Sequence, residues 1–128
     1  MAQRWAPKGD SSTQVLNNQV SLNNLSGLEG YAAFFSSTGW IRGTGGTACG
    51  IIANGGSGSG AVIAMHIGGK SQAIILSTCS AGEALMDSVS STLVASAADN
   101  NAITAIALQT CSATGQIIDV SLRYGDRY

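Results

Sequence analysis

The only histidine of the chain lies in the stretch AMHIGGKS, residues Ala64 to Ser71, whose composition is that of a phosphate-binding loop. In the pattern GxxxxGK[ST], backbone amides at the start of a helix hold the phosphates and the lysine reaches the outer ones. Alanine replaces the first glycine here, and the apolar stretch QAIILST that follows predicts a strand. We therefore expect no nucleotide site, but a hairpin turn through Gly68 and Gly69 with Lys70 exposed.

Cysteine and histidine are the usual zinc ligands, and Cys49, Cys79 and Cys111 together with His66 would complete a Cys₃His site by number. The cysteines are far apart in the sequence and none forms a C-x₂₋₄-C pair, so their spacing argues against zinc. Three cysteines are also too few for a disulfide framework, which agrees with folding in a reducing compartment. We expect no metal and no other cofactor, and small buried cysteines near the starts of turns.

Catalysis by a serine or cysteine nucleophile would need a nearby base, and His66 lies in the apolar run AVIAMHIGG, where a structural histidine is more common. The glycine-rich tract from Gly43 to Gly60 lacks the strand and helix that a dinucleotide-binding fingerprint requires. The acidic residues show neither close pairs nor the dense spacing of a calcium loop: Glu29, Glu83, Asp87, Asp99, Asp119 and Asp126. The sequence therefore predicts a protein that is not an enzyme.

The composition points to a protein that works in an assembly. Only 10% of the residues are charged and the formal net charge is -1, against about 25% charged in a typical soluble domain. Such a weak field cannot steer the chain toward nucleic acid. The start of the chain has no signal-peptide pattern, and the longest apolar run, Ala61 to Met65, is too short for a membrane span, so we expect synthesis in the cytoplasm and no membrane. A surface with so few charges gives a free monomer little protection against association.

Short apolar segments bounded by Gly, Ser, Thr or Asn follow one another from Leu25 onward, and each has the length of a strand. They are GYAAFFSS, WIRG, CGIIANG, GAVIAMHIGG, QAIILSTC, ITAIALQTC and QIIDVSLR. In the last segment Ile118, Val120 and Leu122 alternate with residues of the opposite face, the period of a strand with one buried side. The sequence predicts an all-β fold, a small β-barrel or β-sandwich formed by residues 25–128 as a single domain.

Two segments share a faint internal similarity: LSTCSAGEAL (Leu76 to Leu85) and LQTCSATGQII (Leu108 to Ile118). In each, an apolar strand leads to Thr-Cys-Ser-Ala, a glycine and another apolar stretch. Because glycine permits φ > 0 and Ser or Thr can bond the local backbone, we interpret both as strand, turn and strand. The similarity supports the turns and does not by itself indicate a duplication.

The segment AGEALMDSVSSTLVASAADN is the one place with a helical pattern, because Leu85, Val89 and Leu93 recur every four residues. Its β-branched residues and serines weigh against a helix. An extended structure is the favoured interpretation, and a helix is the alternative.

Residues 1–24 contain the only proline, Pro7, and predict an extended N-terminal arm. An extended chain of this length could reach on the order of 60 Å, enough to cross a subunit boundary. A tryptophan next to an arginine is the residue pair typical of interface hot spots. We therefore choose Arg4, Trp5, Pro7 and Lys8 as candidate contacts with a neighbouring protein; the alternative is a frayed terminus whose Trp5 packs back on its own domain.

The second half of the chain resembles the C-terminal half of the small capsid decoration, or cement, proteins of tailed bacteriophages. The resemblance rests on Ala73 to Leu76, Ala81-Gly82, Leu93 to Ala98, Ile106 to Leu108, Cys111 to Gly115 and Ile117 to Leu122. It covers less than half of the chain, and residues 25–72 carry no part of it. It implies a compact β-barrel or β-sandwich, commonly a homotrimer, that sits on the major capsid protein at the outer surface of the virion and adds strength without catalysis.

The sequence therefore predicts a non-catalytic virion protein that decorates and stabilises a phage capsid. If the arm docks on the capsid, Trp5→Ala should weaken attachment to particles while the isolated domain stays folded; retained occupancy would contradict this. One alternative is another virion subunit, such as a tail, fibre or minor capsid protein. A second is a small carbohydrate-binding β-module, which would need exposed aromatic side chains from among Tyr31, Trp40, Tyr124 and Tyr128.

Overall fold

The structure is a computed structural model that describes residues 6–44, 50–88, 90–95 and 103–123. Within these ranges the chain forms nine strands and no helix. The strands are β1 (Gln14–Val20), β2 (Ala32–Ser36), β3 (Gly39–Arg42), β4 (Gly50–Asn54), β5 (Val62–Ile74), β6 (Ala84–Asp87), β7 (Leu93–Ala95), β8 (Ala105–Ala107) and β9 (Ile117–Arg123). They pair antiparallel in one curled half-barrel sheet, which confirms the all-β prediction.

The order of strands in the sheet is β3-β2-β4-β5-β9-β8-β6-β7, and β1 pairs with β5 outside this path. The longest strand, β5, has 13 residues and pairs with β1, β4 and β9. It therefore joins the N-terminal strands to the C-terminal ones. The segment with the helical pattern contains β6 and β7, as its β-branched residues favoured.

The predicted hairpin turn at Gly68 and Gly69 is wrong, because both residues lie inside β5. Gly69 has a φ of 74°, which glycine adopts without steric cost. The pairing of β1 with β5 shifts register next to this point, between Gln14 and Val15. A Cβ atom at Gly69 would collide with the carbonyl oxygen of Ser12. The glycines bend one long strand and let the segment around Ser12 approach it. The sequence analysis recognised the conformational freedom of these glycines but assigned it to a turn.

Among the described residues, the buried apolar side chains form two clusters. The tryptophan core is built on the N-terminal strands from Leu25, Ala33, Trp40, Ile52, Ile63 and Met65. The aliphatic core lies mainly under the C-terminal strands: Ala32, Ile51, Ala73, Ile75, Cys79, Leu85, Leu93, Ala105, Ala107, Cys111, Ile118, Val120 and Leu122. Neighbouring residues of β4 separate the two, since Ile51 belongs to the aliphatic core and Ile52 to the tryptophan core.

The closing hairpin follows the predicted alternation. In β9, Ile118, Val120 and Leu122 are at most 5% exposed, whereas Ile117 on the opposite face is 39% exposed. β8 and β9 pair antiparallel, with Ala107 opposite Val120. The turn between them includes Gly115, which has a φ of 80°. The predicted inner face is confirmed.

The two similar segments pair with each other through their turns. Cys79 N donates to Cys111 O at 3.0 Å and Cys111 N donates to Cys79 O at 2.9 Å. Corresponding glycines make corresponding bonds of 2.7 Å, from Gly82 N to Ala107 O and from Gly115 N to Ile75 O. Glu83 and Gln116 likewise accept, through their side chains, the amides of Ser80 and Ser112. The repeated sequence thus builds two turns related by an approximate local two-fold, with the cysteine pair at its centre.

A buried polar contact ties the loop between β6 and β7 to the end of β3. Arg42 Nε donates to Ser91 Oγ at 2.8 Å and Arg42 Nη2 donates to Ser90 O at 2.9 Å. Ser91 Oγ donates in turn to Gly43 O at 2.6 Å. Because Ser91 is fully buried, these bonds satisfy its hydroxyl and connect the C-terminal strands to the N-terminal ones.

Candidate functional site

One pair of side chains has the chemistry of a nucleophile and a base: His66 Nδ1 lies 2.7 Å from Ser71 Oγ. Both residues belong to β5. Residues five positions apart fall on opposite faces of a regular strand. The positive φ of Gly69 between them breaks that alternation and brings the two side chains together. Sequence reasoning missed the pair, and the only available signal was the glycine pair between the two residues.

The surroundings of this pair favour a structural role over a catalytic one. Ser71 is fully buried and His66 is 6% exposed. Burial lowers the pKa of His66 below its ordinary value of 6.5, which keeps the ring neutral at physiological pH. In the part of the chain that the structure describes, the ring donates no hydrogen bond to a carboxylate that would orient it. The two groups bind each other, as buried polar side chains commonly do in a folded protein.

The acidic side chains mostly bind nearby backbone amides. Glu29 Oε2 accepts from Gly55 N at 2.9 Å, and Glu83 Oε1 accepts from Ser80 N at 2.6 Å. Asp119 accepts from Gln72 Nε2 at 3.1 Å and lies 3.5 Å from Lys70 Nζ. Across residues 6–44, 50–88, 90–95 and 103–123, no group of three or more His, Cys, Asp or Glu residues is placed to hold a metal ion. Asp87 is fully buried, and Asp99, Asp126 and Cys49 lie outside the described residues.

The described part of the predicted arm lies along β5. Pro7 is buried and Lys8 is exposed, and Lys8 N donates to Gln72 Oε1 at 3.1 Å. Further on, Thr13 Oγ1 donates to Lys70 O, and residues 14–20 form β1. Arg4 and Trp5 lie outside the described residues, so the contacts predicted for them stay a prediction. Because Lys8 binds Gln72, the chain enters the described region near the C-terminal end of β5.

Exposed apolar side chains form one surface near that same end of β5. Leu76, Leu108 and Ile117 are 38%, 47% and 39% exposed. Ile117 shares the outer face of the sheet with the partly buried Ile74, with which it pairs. Leu76 follows two residues after Ile74, and Leu108 N donates to Asp119 O, two residues after Ile117. We call Leu76, Leu108 and Ile117 the C-terminal apolar surface. The opposite face of the same strands is the aliphatic core, so this part of the sheet is apolar on both sides.

A second group of exposed apolar side chains lies at the N-terminal end of β5. Val20 and Val62 pair directly across β1 and β5 and are 43% and 65% exposed. Leu22, two residues after Val20, is 42% exposed. We call these three residues the N-terminal apolar surface. Val62 begins β5 and Ile74 ends it, so the two surfaces lie at opposite ends of this bent strand. At a rise of roughly 3.3 Å per residue the distance between them is at most about 40 Å.

Of the four aromatic residues named for a sugar-binding module, the structure describes Trp40 and Tyr31, and neither is exposed. Trp40 is 2% exposed, its Nε1 donates to Gln19 Oε1 at 3.0 Å, and the Phe35 ring packs on it edge to face. Tyr31 is partly buried, with the Arg42 guanidinium 5.8 Å from the centre of its ring. Tyr124 and Tyr128 lie outside the described residues.

A shallow cleft of about 410 Å³ is lined by Ser12, Gln14, Ile67, Gly68, Gly69, Leu122 and Arg123. It opens where the chain before β1 crosses β5, and it contains neither His66 nor Ser71. Among the described residues, no helix has the length and apolar character to cross a membrane. Comparisons with family models, curated proteins and solved structures find no match to this chain.

Proposed function

We propose that this protein is a structural virion protein that decorates and stabilises the outer surface of a tailed-bacteriophage capsid, without catalysis. The observation that carries the proposal is the presence, among the described residues, of two exposed apolar surfaces at opposite ends of β5. A monomer has little use for two such surfaces. A cement protein needs two, one for copies of itself and one for the shell.

The C-terminal apolar surface is the one we assign to the major capsid protein. The chain enters the described region at this end of the molecule, through the bond between Lys8 and Gln72. Arg4 and Trp5 precede that point in the sequence, so the candidate arm residues and this surface can serve the same partner. A small apolar contact is weak by itself, but many copies on a closed lattice multiply it through avidity.

The N-terminal apolar surface is the one we assign to self-association, as a homotrimer. Val20 and Val62 form a cross-strand pair, and Leu22 extends it along the chain. β1 pairs with β5, and the chain just after it contacts β3 through the bridge between Ser21 and Trp40, so the contact between copies would use these exposed side chains and not an open strand edge. The low charge of the chain leaves little repulsion between copies.

The test compares two double variants, Leu76→Ser with Leu108→Ser and Val20→Ser with Val62→Ser. Light scattering would measure the oligomeric state, and co-sedimentation would measure binding to phage heads that lack their decoration protein. We expect the first variant to stay trimeric and to lose at least tenfold in head binding, and the second to become monomeric. Thr78→Ser, at an exposed site beside Leu76, is the control and should change neither.

Three outcomes would contradict the proposal. A wild-type protein that stays monomeric and does not bind heads would contradict the assignment of both apolar surfaces. Binding to isolated tails in place of heads would favour the alternative of a tail or fibre subunit. Retention on an immobilised polysaccharide with no binding to heads would favour a carbohydrate-binding module.

A further inference from the structure

The two described cysteines face each other across paired turns. Each backbone amide donates to the other residue's carbonyl, at 3.0 Å and 2.9 Å, so Cys79 and Cys111 form a hydrogen-bonded antiparallel pair. In such a pair the two Cα atoms are about 5.5 Å apart and the two side chains project from the same face of the sheet. Disulfides span Cα distances of about 4.4 to 6.8 Å. The backbone thus holds both residues at the distance that a disulfide requires.

A disulfide between Cys79 and Cys111 would be strained, because the backbone pairing holds their Cβ atoms farther apart than a disulfide prefers. Directly opposed Cβ atoms in antiparallel pairs are about 4.5 to 5.5 Å apart, whereas a disulfide prefers about 3.8 Å. Closing the bond therefore draws the two Cβ atoms together by about 0.7 to 1.7 Å, against the hydrogen bonds between the turns. A disulfide under such strain is more easily reduced than a structural one, so the bond would be reversible.

The surroundings keep both cysteines as thiols until an oxidant arrives. Both are buried, at 5% exposure for Cys79 and 1% for Cys111, and both are free. Burial raises the pKa of Cys79 above its ordinary value, and Cys111 Sγ lies 3.1 Å from Ala113 O, which its S–H can donate to. Because only a thiolate attacks a disulfide, oxidation of the folded protein is slow at neutral pH and faster in alkaline solution.

We propose that Cys79 and Cys111 are a reversible redox site, which a low-molecular-weight disulfide such as oxidised glutathione converts to an intramolecular disulfide. The thiolate of Cys79, the more exposed of the two, attacks one sulfur of the oxidant and releases one glutathione thiolate. The thiolate of Cys111 then attacks Cys79 Sγ in this mixed disulfide, forms the protein S–S bond and releases the second glutathione. The protein loses two S–H bonds and two electrons, and the two protons appear on two molecules of reduced glutathione.

The bond would join the two turns at the centre of their local two-fold and close the chain from β6 to β8 into a covalent loop. It does not depend on the function proposed above. If that function holds, the protein is assembled under reducing conditions and then released with the particle into oxidising surroundings, where the bond would strengthen it.

The experiment treats the folded full chain with oxidised glutathione at pH 8.5, blocks remaining thiols with iodoacetamide and maps the peptides by mass spectrometry. We expect a peptide pair linked through Cys79 and Cys111, with Cys49 alkylated. The melting temperature of the oxidised protein should rise by on the order of 10 °C, because the bond restricts the unfolded chain, and should return after dithiothreitol. Cys49→Ser should behave as the wild type.

Cys111→Ser is the matched control, since it leaves one thiol of the pair and should show no gain in melting temperature. Recovery of alkylated Cys79 and Cys111 after prolonged oxidation of folded protein would overturn the proposal. A link from either residue to Cys49, or only disulfides between two chains, would overturn it as well. Peptide mapping of the unmutated protein gives the same decision if a variant fails to fold.

Discussion

The two cores of this molecule are stabilised in different ways. The tryptophan core is completed by side chains that reach across loops, such as Gln19, which accepts the Trp40 indole N–H, and Glu29, which accepts the Gly55 amide. The aliphatic core contains no aromatic residue and is closed by backbone pairing between two similar turns. The tryptophan core therefore depends on particular polar side chains from distant segments. The aliphatic core depends on the alternation of apolar and polar residues along its strands and on turns that contain glycine.

The largest predicted effect tests whether the two cores unfold together. Trp40→Ala should destabilise the protein by about 3 to 5 kcal/mol, because it leaves a cavity and an unpaired Gln19 side chain. Leu85→Ala, in the fully buried aliphatic core, should cost about 3 kcal/mol. Urea unfolding followed by circular dichroism would measure both variants, and the fluorescence of Trp40 would follow the tryptophan core in the wild type and in Leu85→Ala. If the cores form one domain, Leu85→Ala moves the transition of both probes equally and Trp40→Ala keeps a single transition by circular dichroism; two separated transitions would contradict the predicted single domain.

The same comparison explains how much of the fold the sequence could predict. The aliphatic region follows the period of two, and Ile118, Val120 and Leu122 could be placed in the core from their spacing alone. The turns of the repeat could also be predicted, because glycine and small polar residues mark them. These are local signals, and they do not depend on distant partners.

The tryptophan region could be predicted less well, since its structure depends on contacts between distant segments. β1 lies within the segment predicted as an arm, and nothing near Gln14 in the sequence indicates that it pairs with β5. Gly68 and Gly69 carry the same local signal whether the chain turns or bends, and only the approach of Ser12 decides between the two. The two apolar surfaces were missed for the same reason, because Val20 and Val62 become neighbours only through the pairing of β1 with β5.

Alanine substitutions of one glycine in each region test the difference between the regions, with smaller expected losses of stability than Trp40→Ala. Gly69 and Gly82 both have positive φ, at 74° and 93°, so alanine at either position should cost about 1 to 2 kcal/mol in backbone strain. At Gly82 the new methyl group meets open space, whereas at Gly69 it collides with the Ser12 backbone. We expect Gly69→Ala to cost about 2 to 4 kcal/mol in total, measured from urea midpoints.

Hydrogen exchange distinguishes where the damage occurs. Gly69→Ala should displace the chain before β1 and speed exchange of the Lys8 and Thr13 amides, which are otherwise bonded. Gly82→Ala should leave those amides unchanged. Equal losses of stability for the two variants, with Lys8 still protected, would mean that the contact at Ser12 contributes nothing.

The smallest predicted effect concerns His66, which lies on β5 at the boundary between the two cores. It pairs with Ile51 of β4, and its side chain bonds to Ser71. Burial lowers its pKa in the folded state below the ordinary value of 6.5. The unfolded chain therefore binds a proton at a higher pH than the folded protein does. The contribution of His66 to the free energy of unfolding is full above pH 6.5 and decreases as the pH falls toward the pKa of the folded state. One such group changes the unfolding free energy by at most about 1.4 kcal/mol per pH unit.

The measurement is the difference between wild type and His66→Gln in urea unfolding from pH 7.5 to pH 5, because carboxylates contribute equally to both proteins. Glutamine keeps a group that can bond Ser71 Oγ but does not titrate. We expect the wild type to lose more stability than the variant below pH 6.5 and the two curves to run parallel above it. A wild type that gains stability relative to the variant on acidification would mean that the folded protein holds the charged ring, and the buried neutral pair at the boundary of the cores would then be refuted.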